Sequence, residues 1–363
     1  MTTSILRFAF LACSVVHPIW AGASSRPLFV IVSVDVESRG DPDRLVWGKS
    51  PQSTELHGIT RIMELLEARG VRGTFFLSPY ESSPEAEAKL AHAAQEIHSR
   101  GHDLQLHTHP APVFGIYHLS EVDLETQVKI LKHGRDLIQE WTGKRVIAHR
   151  AGGFAANLDT MEACRRTGFL IDASLSPAWD SELARQLPAH NGPVLLEGLL
   201  QLPVTFYTQA SLGSWRSLRI LDIEASTLAE LTTVIRQAAD HEVGVVNVLM
   251  HSYSLVRFGK PDLELEDRFA GLLDFLVRDA GTEPLTVSAF YKLWKRDEKL
   301  RAARNDFVPH TGWWLTYLRA VEDHDKGWKN IAVATVPPAL GLVGILVLYV
   351  RWRRRGIAVL PTR

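Results

Sequence analysis

Leu28-Phe-Val-Ile-Val-Ser-Val-Asp-Val-Glu37 decides how the rest of the chain is read. Seven mostly apolar residues lead to an acid, and a second acid follows two positions later. A continuous apolar run, as opposed to an alternating one, marks a strand buried on both faces, the habit of parallel sheets. At spacing i, i+2, Asp35 and Glu37 point to one face of an extended chain. Two carboxylates there are costly to bury without a cation or a partner.

Outward from this strand the same grammar repeats. Apolar runs recur at Gly73–Leu77, Leu104–His107, Arg145–Ala148, Leu170–Ala173, Leu199–Leu202, Val245–Met250 and Leu285–Val287. Amphipathic helical patterns lie between several of them. Ile59, Ile62, Met63 and Leu66 share one face, as do Leu124, Val128 and Leu131. So do Leu228, Leu231 and Ile235, and Leu265, Phe269, Leu272 and Leu276. Gly70 and Gly168 stand where helix C-caps belong. Uninterrupted βα repeats predict one barrel-like α/β domain over residues 26–300. In such a barrel, functional side chains gather at the C-terminal ends of the strands.

The strand ends are polar. The third reads Leu104-Gln-Leu-His-Thr-His-Pro110, with His107 and His109 again at i, i+2. Two converging imidazoles with a carboxylate from a neighbouring strand suit Zn²⁺ or a similar divalent ion. Three protein ligands leave positions open for water, which is the pattern of a catalytic site. The fourth strand is followed by His149-Arg-Ala-Gly-Gly-Phe154. It brings a permanent cation, Arg150, and glycines that permit close backbone approach. The seventh ends Val248-Leu-Met-His251, where an acid/base group can reach a substrate.

The 363 residues carry a net charge of -1, with 46% hydrophobic and 22% charged residues. That excludes a disordered chain, a collagen and a disulfide mini-protein, and gives no general attraction to nucleic acid. Both ends are poor in charge. Ile5–Val16 hold only Arg7, and Ala21-Gly-Ala23 follow, so residues 1–23 read as a signal peptide. Ile331–Val350 hold no charge, and Arg351, Arg353, Arg354 and Arg355 come next. Twenty residues at about 1.5 Å each cross a bilayer, and the arginines keep the tail inside. The expected layout is therefore an exported domain, a linker or collar at 301–330, a single membrane helix at 331–350 and a basic cytoplasmic tail at 351–363. Trp313 and Trp314 in the collar are candidates to rest on the membrane interface. After leader removal only Cys164 remains, so no intrachain disulfide forms. The chain has no Asn-x-Ser/Thr sequon, which favours a bacterial envelope protein. Oligomeric state is not legible.

Taken in order, Asp35-x-Glu37, Gly73-Thr-Phe-Phe76, Gly101-His-Asp-x-x-x-His107, Arg150-x-Gly-Gly153 and Leu249-x-His251 resemble the polysaccharide deacetylase family, with its NodB-homology domain. The resemblance runs over roughly residues 28–290. It implies an α/β fold, a distorted (β/α) barrel of about seven parallel strands, to which the C-terminal transmembrane helix is added. It implies a metal-dependent hydrolase that takes acetyl groups from an envelope polysaccharide or glycolipid, most often with Zn²⁺. By the same resemblance Asp35 is the base, Arg150 orients it, and His251 protonates the leaving group. Glu37, His107 and His109 are the metal ligands, and His102 is structural. The chain departs from the family pattern in three places. It has Asp-Val-Glu where most members have Asp-Asp, one residue between the histidines where most have three, and no tryptophan in Ile171–Ser176. Glu37 is a carbon longer than Asp, so Asp35 and Glu37 are able to exchange roles. The alternative reading is an inactive, membrane-tethered sugar-binding module, with Trp47, Phe114, Tyr117 and Trp179 stacking on sugar rings.

Overall fold

The computed structural model describes residues 26–322 apart from residues 52 and 280. Its strands are β1 (Leu28–Val36), β2 (Thr74–Leu77), β3 (Asp103–Thr108), β4 (Ala148–Ala151), β5 (Ile171–Asp172), β6 (Val194–Leu196), β7 (Leu199–Gln201), β8 (Phe206–Leu212), β9 (Trp215–Ile220), β10 (Val245–His251), β11 (Val256–Arg257), β12 (Lys260–Pro261) and β13 (Thr282–Leu285). The main sheet runs β10-β1-β2-β3-β4-β5-β7-β6, with β13 also paired to β1. Every pairing along that path is parallel except β6 with β7. Hairpins β8–β9 and β11–β12 stand apart from it.

All nine residues of β1 are buried, as an apolar run in a covered parallel sheet requires. Its alternation still divides two cores. Val30, Val32, Val34 and Val36 join the layer under the outer helices, with Ile62, Leu90, Leu131 and Leu272. Phe29 and Ile31 face the inside of the curl with Phe76, Ile171, Leu200, Val245, Phe290 and Trp294. By the period of two, the inner face of β1 reads Phe29, Ile31, Ser33, Asp35, Glu37 from floor to mouth. An apolar floor thus rises into a polar rim at the C-terminal strand ends.

The helices bury one stripe each and are stopped by local chemistry. In Pro84–Ser99 the Ser83 side chain accepts from Ala86 N and Pro84 opens the first turn. In Leu124–Thr142 Asp123 caps the start, and Gly143 ends the helix with φ 69°. Leu228–Asp240 begins with a Thr227/Glu230 capping box.

The sheet is a curled, open half-barrel. Between β7 and β10 the join is made by irregular backbone: Thr205 N donates to Asn247 O (3.0 Å) and Leu221 N to Thr205 O (2.7 Å). Leu249 N closes the seam on Leu221 O at 3.0 Å. Pro203 precedes this join and has no N–H to offer a ladder.

The expected transmembrane helix is corrected. Among the described residues no helix is long and apolar enough to cross a membrane. The long helices are amphipathic: Leu124–Thr142 buries Ile130, Leu131 and Ile138 while carrying Glu125, Lys129, Arg135 and Glu140. Residues 331–350, on which that expectation fell, lie outside the described residues, as do the leader at 1–23 and the basic tail at 351–363. Within the collar, helix Gly312–Glu322 packs on β8. Thr316 Oγ1 donates to Gln209 O at 3.2 Å, and Trp313 Nε1 donates to Ser211 O at 3.1 Å. The Trp313 ring also stacks on Trp215 at 6.2 Å, so this tryptophan is packed against the domain.

A second difference concerns β4. The apolar run predicts a strand at 145–148, but the strand is Ala148–Ala151 and contains His149 and Arg150, both 0% exposed. Paired polar side chains occupy a buried strand here, which an apolar-run criterion cannot detect.

Candidate functional site

The six residues picked out at strand ends lie together at the mouth of the curl. β1 and β10 pair in register so that Asp35 sits opposite His251, and β3 and β4 place His107 opposite Arg150. Glu37 follows β1, and His109 follows β3 by one residue.

Glu37 is the meeting point of the two histidines. Its Oε1 lies 3.2 Å from His107 Nε2 and 3.0 Å from His109 Nε2. Burial opposes ionisation of this carboxyl, yet the His107 and His109 contacts outweigh it and hold the group well below the usual carboxylate range. On its other side Oε2 accepts from Arg39 Nε (2.9 Å) and Nη2 (2.7 Å). Arg39 takes φ 45°, an unusual backbone for a residue with a side chain.

The tautomers bear on what this cluster holds. His107 Nδ1 lies 2.9 Å from the carbonyl of Arg150, and an acceptor there makes Nδ1 the protonated nitrogen. With a single proton on the ring, the lone pair of Nε2 faces a carboxylate oxygen, and only a second proton or a cation makes that contact attractive. The buried Nε2 of His109 approaches the same oxygen without the alignment of a hydrogen bond. Two imidazole nitrogens and one carboxylate oxygen, all within 4.8 Å of one another, repel unless a proton or a cation lies among them. The donor set fits a divalent ion, and a backbone carbonyl on the far nitrogen of a ligating histidine is the usual outer support.

Gly152 shapes this cradle. A Cβ added there would lie 2.4–2.6 Å from three atoms of the His109 ring. The ring therefore rests directly on backbone, and only glycine leaves it room.

Behind Glu37, Asp35 Oδ1 accepts from Arg150 Nη1 at 2.6 Å. Arg150 is wholly buried, donates from Nη2 to Ser33 Oγ at 3.1 Å, and lies over the Phe76 ring at 4.1 Å. Ser33 in turn donates to Asn247 Oδ1 at 2.8 Å. This clamp fixes one oxygen of Asp35. The other, Oδ2, faces His107 Nε2 at 3.9 Å, beyond hydrogen-bond range.

His251 completes the mouth. One of its ring nitrogens and one oxygen each of Asp35 and Glu37 lie within 4.8 Å of one another. Its Nδ1 is 2.9 Å from Glu224 Oε1, and Ser254 Oγ donates to the same oxygen. Burial disfavours the imidazolium, but Glu224 above all, with Asp35 and Asp222, raises its pKa to about 9. Burial, then the charge of Glu224, pushes the Asp222 carboxyl up.

Glu224, Asp222, Arg39 and Tyr253 escaped the sequence reading. The signal for the first two was present, because Asp222-Ile-Glu224 repeats the spacing of Asp35-Val-Glu37. Arg39 carried none, since its role depends on a turn, and Tyr253 is placed by its contact with Arg39 Nη2 at 3.1 Å. Of the aromatics proposed to stack on sugars, Trp47 is buried against His92 and Phe114 packs on Tyr80, while Tyr117 and Trp179 are exposed.

Comparison with known proteins bears on the family and the fold. Residues 54–171 match the family model described as polysaccharide deacetylase, a stretch that includes His107, His109 and Arg150. A crystal structure of a putative polysaccharide deacetylase from Mycobacterium smegmatis superposes with a TM-score of 0.53 at 19% identity, covering 80% of this chain and 96% of that one. That likeness shows a shared fold. A peptidoglycan deacetylase from Bacillus subtilis matches with a TM-score of 0.42 at 11% identity, over 77% of this chain and 97% of that one. A family 4 carbohydrate esterase from Streptomyces lividans matches with a TM-score of 0.41 at 12% identity, over 77% and 97%. No curated protein matches the chain.

Proposed function

We propose, from the premise that the chain is a divergent member of the polysaccharide deacetylase family, that it is a metal-dependent hydrolase releasing acetate from an acetylated glycan or glycolipid. The observation that carries the reading is the pair of imidazole nitrogens facing one oxygen of Glu37. Glu37, His107 and His109 are the residues to hold the ion, and two imidazoles with one carboxylate suit Zn²⁺. When bound, such an ion polarises an acetyl carbonyl and lowers the pKa of water.

The remaining work falls to this chain's own groups. Arg150 occupies Asp35 Oδ1, which leaves Oδ2 to take a proton from the attacking water. His251, held protonated by Glu224, gives a proton to the departing amine or alkoxide. Such a paired acid weighs against the alternative of a passive sugar-binding module, because binding alone needs no proton donor. Metal analysis of the purified full chain, run beside acetate assays on envelope oligosaccharides, tests the reading. A chain that binds no divalent metal and frees no acetate would sink it.

Two expected results follow from the cradle and the acid. Gly152→Ala forces the His109 ring aside and weakens metal binding by about 10- to 100-fold, the range seen when a ligand's support is lost. Competition with a chromophoric chelator measures this. Glu224→Gln removes the main influence raising His251, so its pKa falls. The donor must be protonated, so activity is lost as pH rises through that pKa. The alkaline limb of kcat should move from about 9 down by about 1–3 pH units. An unmoved limb would show that His251 is not the acid.

We also place the domain outside the cytoplasm, on the apolar run Ile5–Val16 and the small residues Ala21-Gly-Ala23. Intact-mass measurement of the mature protein checks this, and a chain still carrying residues 1–23 would count against it.

A further inference from the structure

Directly behind the two histidines, on the outer face of the sheet, lies a second polar cluster that the proposed chemistry does not use. Asp172, His149 and Ser174 are 0% exposed and Thr108 is 2% exposed. The period of two explains the placement: His107 and Arg150 point into the mouth, so their neighbours Thr108 and His149 point to the opposite face. There His149 packs beside Cys164, on the helix Leu158–Arg166.

The bonds run in one direction. Ser174 Oγ donates to Asp172 Oδ1 at 2.6 Å, and Ser174 Oγ accepts from Ala151 N at 2.8 Å. Asp172 Oδ1 is 3.1 Å from His149 Nδ1. A carboxylate acceptor there makes Nδ1 the protonated nitrogen, and Nε2 is left with a lone pair. Thr108 Oγ1 is 3.2 Å from that Nε2, so its hydroxyl donates to it. Thr108 is the single residue between His107 and His109.

We infer that Asp172 and His149 form a positioning relay that locks Thr108, and through it the backbone carrying both imidazole donors. The inference rests on the reading of Glu37, His107 and His109 as metal ligands. A buried carboxylate and imidazole cost stability, and an apolar pair would fill the same space more cheaply. What they supply is a fixed peptide geometry at the one turn where two ligands must converge. The short spacing makes this demand acute. With i, i+2 histidines a rotation of one peptide moves both donors together. Cys164 Sγ lies 3.4 Å from His149 Nδ1, so the trio also has the composition of a metal site of its own. Both imidazole nitrogens are already engaged, however, Nδ1 with Asp172 and Nε2 with Thr108, and Asp172 Oδ1 accepts from Ser174, which leaves only the buried Asp172 Oδ2 without a hydrogen-bond partner. Burial, then Asp172, raises the Cys164 thiol, which keeps it protonated.

The test is Co²⁺ titration of the metal-free full chain, followed by the visible absorption of the bound ion, with unfolding temperature measured in parallel. Thr108→Val keeps the shape and removes the donor. It should bind Co²⁺ about 10- to 100-fold more weakly, with an altered spectrum. Thr108→Ser keeps the hydroxyl and should restore binding. His149→Phe should match Thr108→Val, and the double variant should lose no more than either single one. Should His149→Phe fail to fold, the Val and Ser pair at position 108 decides. Wild-type affinity in Thr108→Val, with only the unfolding temperature lowered, overturns the relay and leaves the metal reading standing. Two Co²⁺ per chain, falling to one in Cys164→Ser, also overturns it. A wild-type chain that takes up no Co²⁺ overturns both.

Discussion

Asp35→Asn is expected to lower turnover by about 10²- to 10⁴-fold, the usual worth of a positioned base, while leaving the metal content unchanged. The geometry separates the two effects. The amide oxygen of Asn can still accept from Arg150 Nη1, so the clamp at 2.6 Å survives. The other position becomes an NH₂ group, which cannot take a proton from water. Glu37, the carboxylate in contact with both imidazoles, is untouched. Glu37→Gln is expected to give the opposite pattern, losing the metal first. The longer Glu side chain leaves room for the two acids to trade places, and this pair of variants decides the matter. If Asp35→Asn strips the metal while Glu37→Gln keeps it, the roles are reversed.

The second large effect is on stability. Arg150→Met fills the space of the side-chain stem but leaves the Asp35 carboxylate, 4% exposed, without its cation. Removing one partner of a buried ion pair costs about 3–5 kcal/mol, because the remaining charge is uncompensated. For a domain of this size that is a fall in unfolding temperature on the order of 10 °C. The double variant Asp35→Asn/Arg150→Met removes the orphaned charge and should recover much of the loss. Thermal unfolding of the three variants reads this directly. An Arg150→Met chain as stable as wild type would show that the pair does not hold the mouth together.

The sequence made much of this arrangement readable, for a specific reason. Apolar runs identify covered parallel strands, and the period of two carries acids or imidazoles at i, i+2 to one face. Asp35, Glu37, His107 and His109 were therefore placed without any knowledge of contacts. The same logic failed where polarity is paid for by pairing. β4 is shifted by three residues relative to its apolar run because His149 and Arg150 are buried inside it, each paired with a carboxylate from another strand. Glu224 was missed because its meaning depends on His251, 27 residues away. The hairpin β8–β9 was missed too, since its partly exposed strands carry no continuous apolar run. The expected membrane helix rested on the uncharged run 331–350 and the arginines after it, outside the described residues, whose helices carry their apolar residues on one stripe.

The irregular seam between β7 and β10 has a consequence for how the domain breathes. Continuous ladders join β10, β1, β2, β3 and β4, so Asp35, His107, Arg150 and His251 ride on one uninterrupted ribbon with Glu37 and His109 just beyond it. Across the seam no strand ladder runs; single backbone bonds to Thr205, Leu221 and Ile223 and the bonds of Asn247 with Thr205 Oγ1 and Pro203 O join the two sides. Local opening starts where the fewest bonds must break. Opening that begins along this line leaves the ladders of the ribbon intact, so the side chains on it keep their spacing.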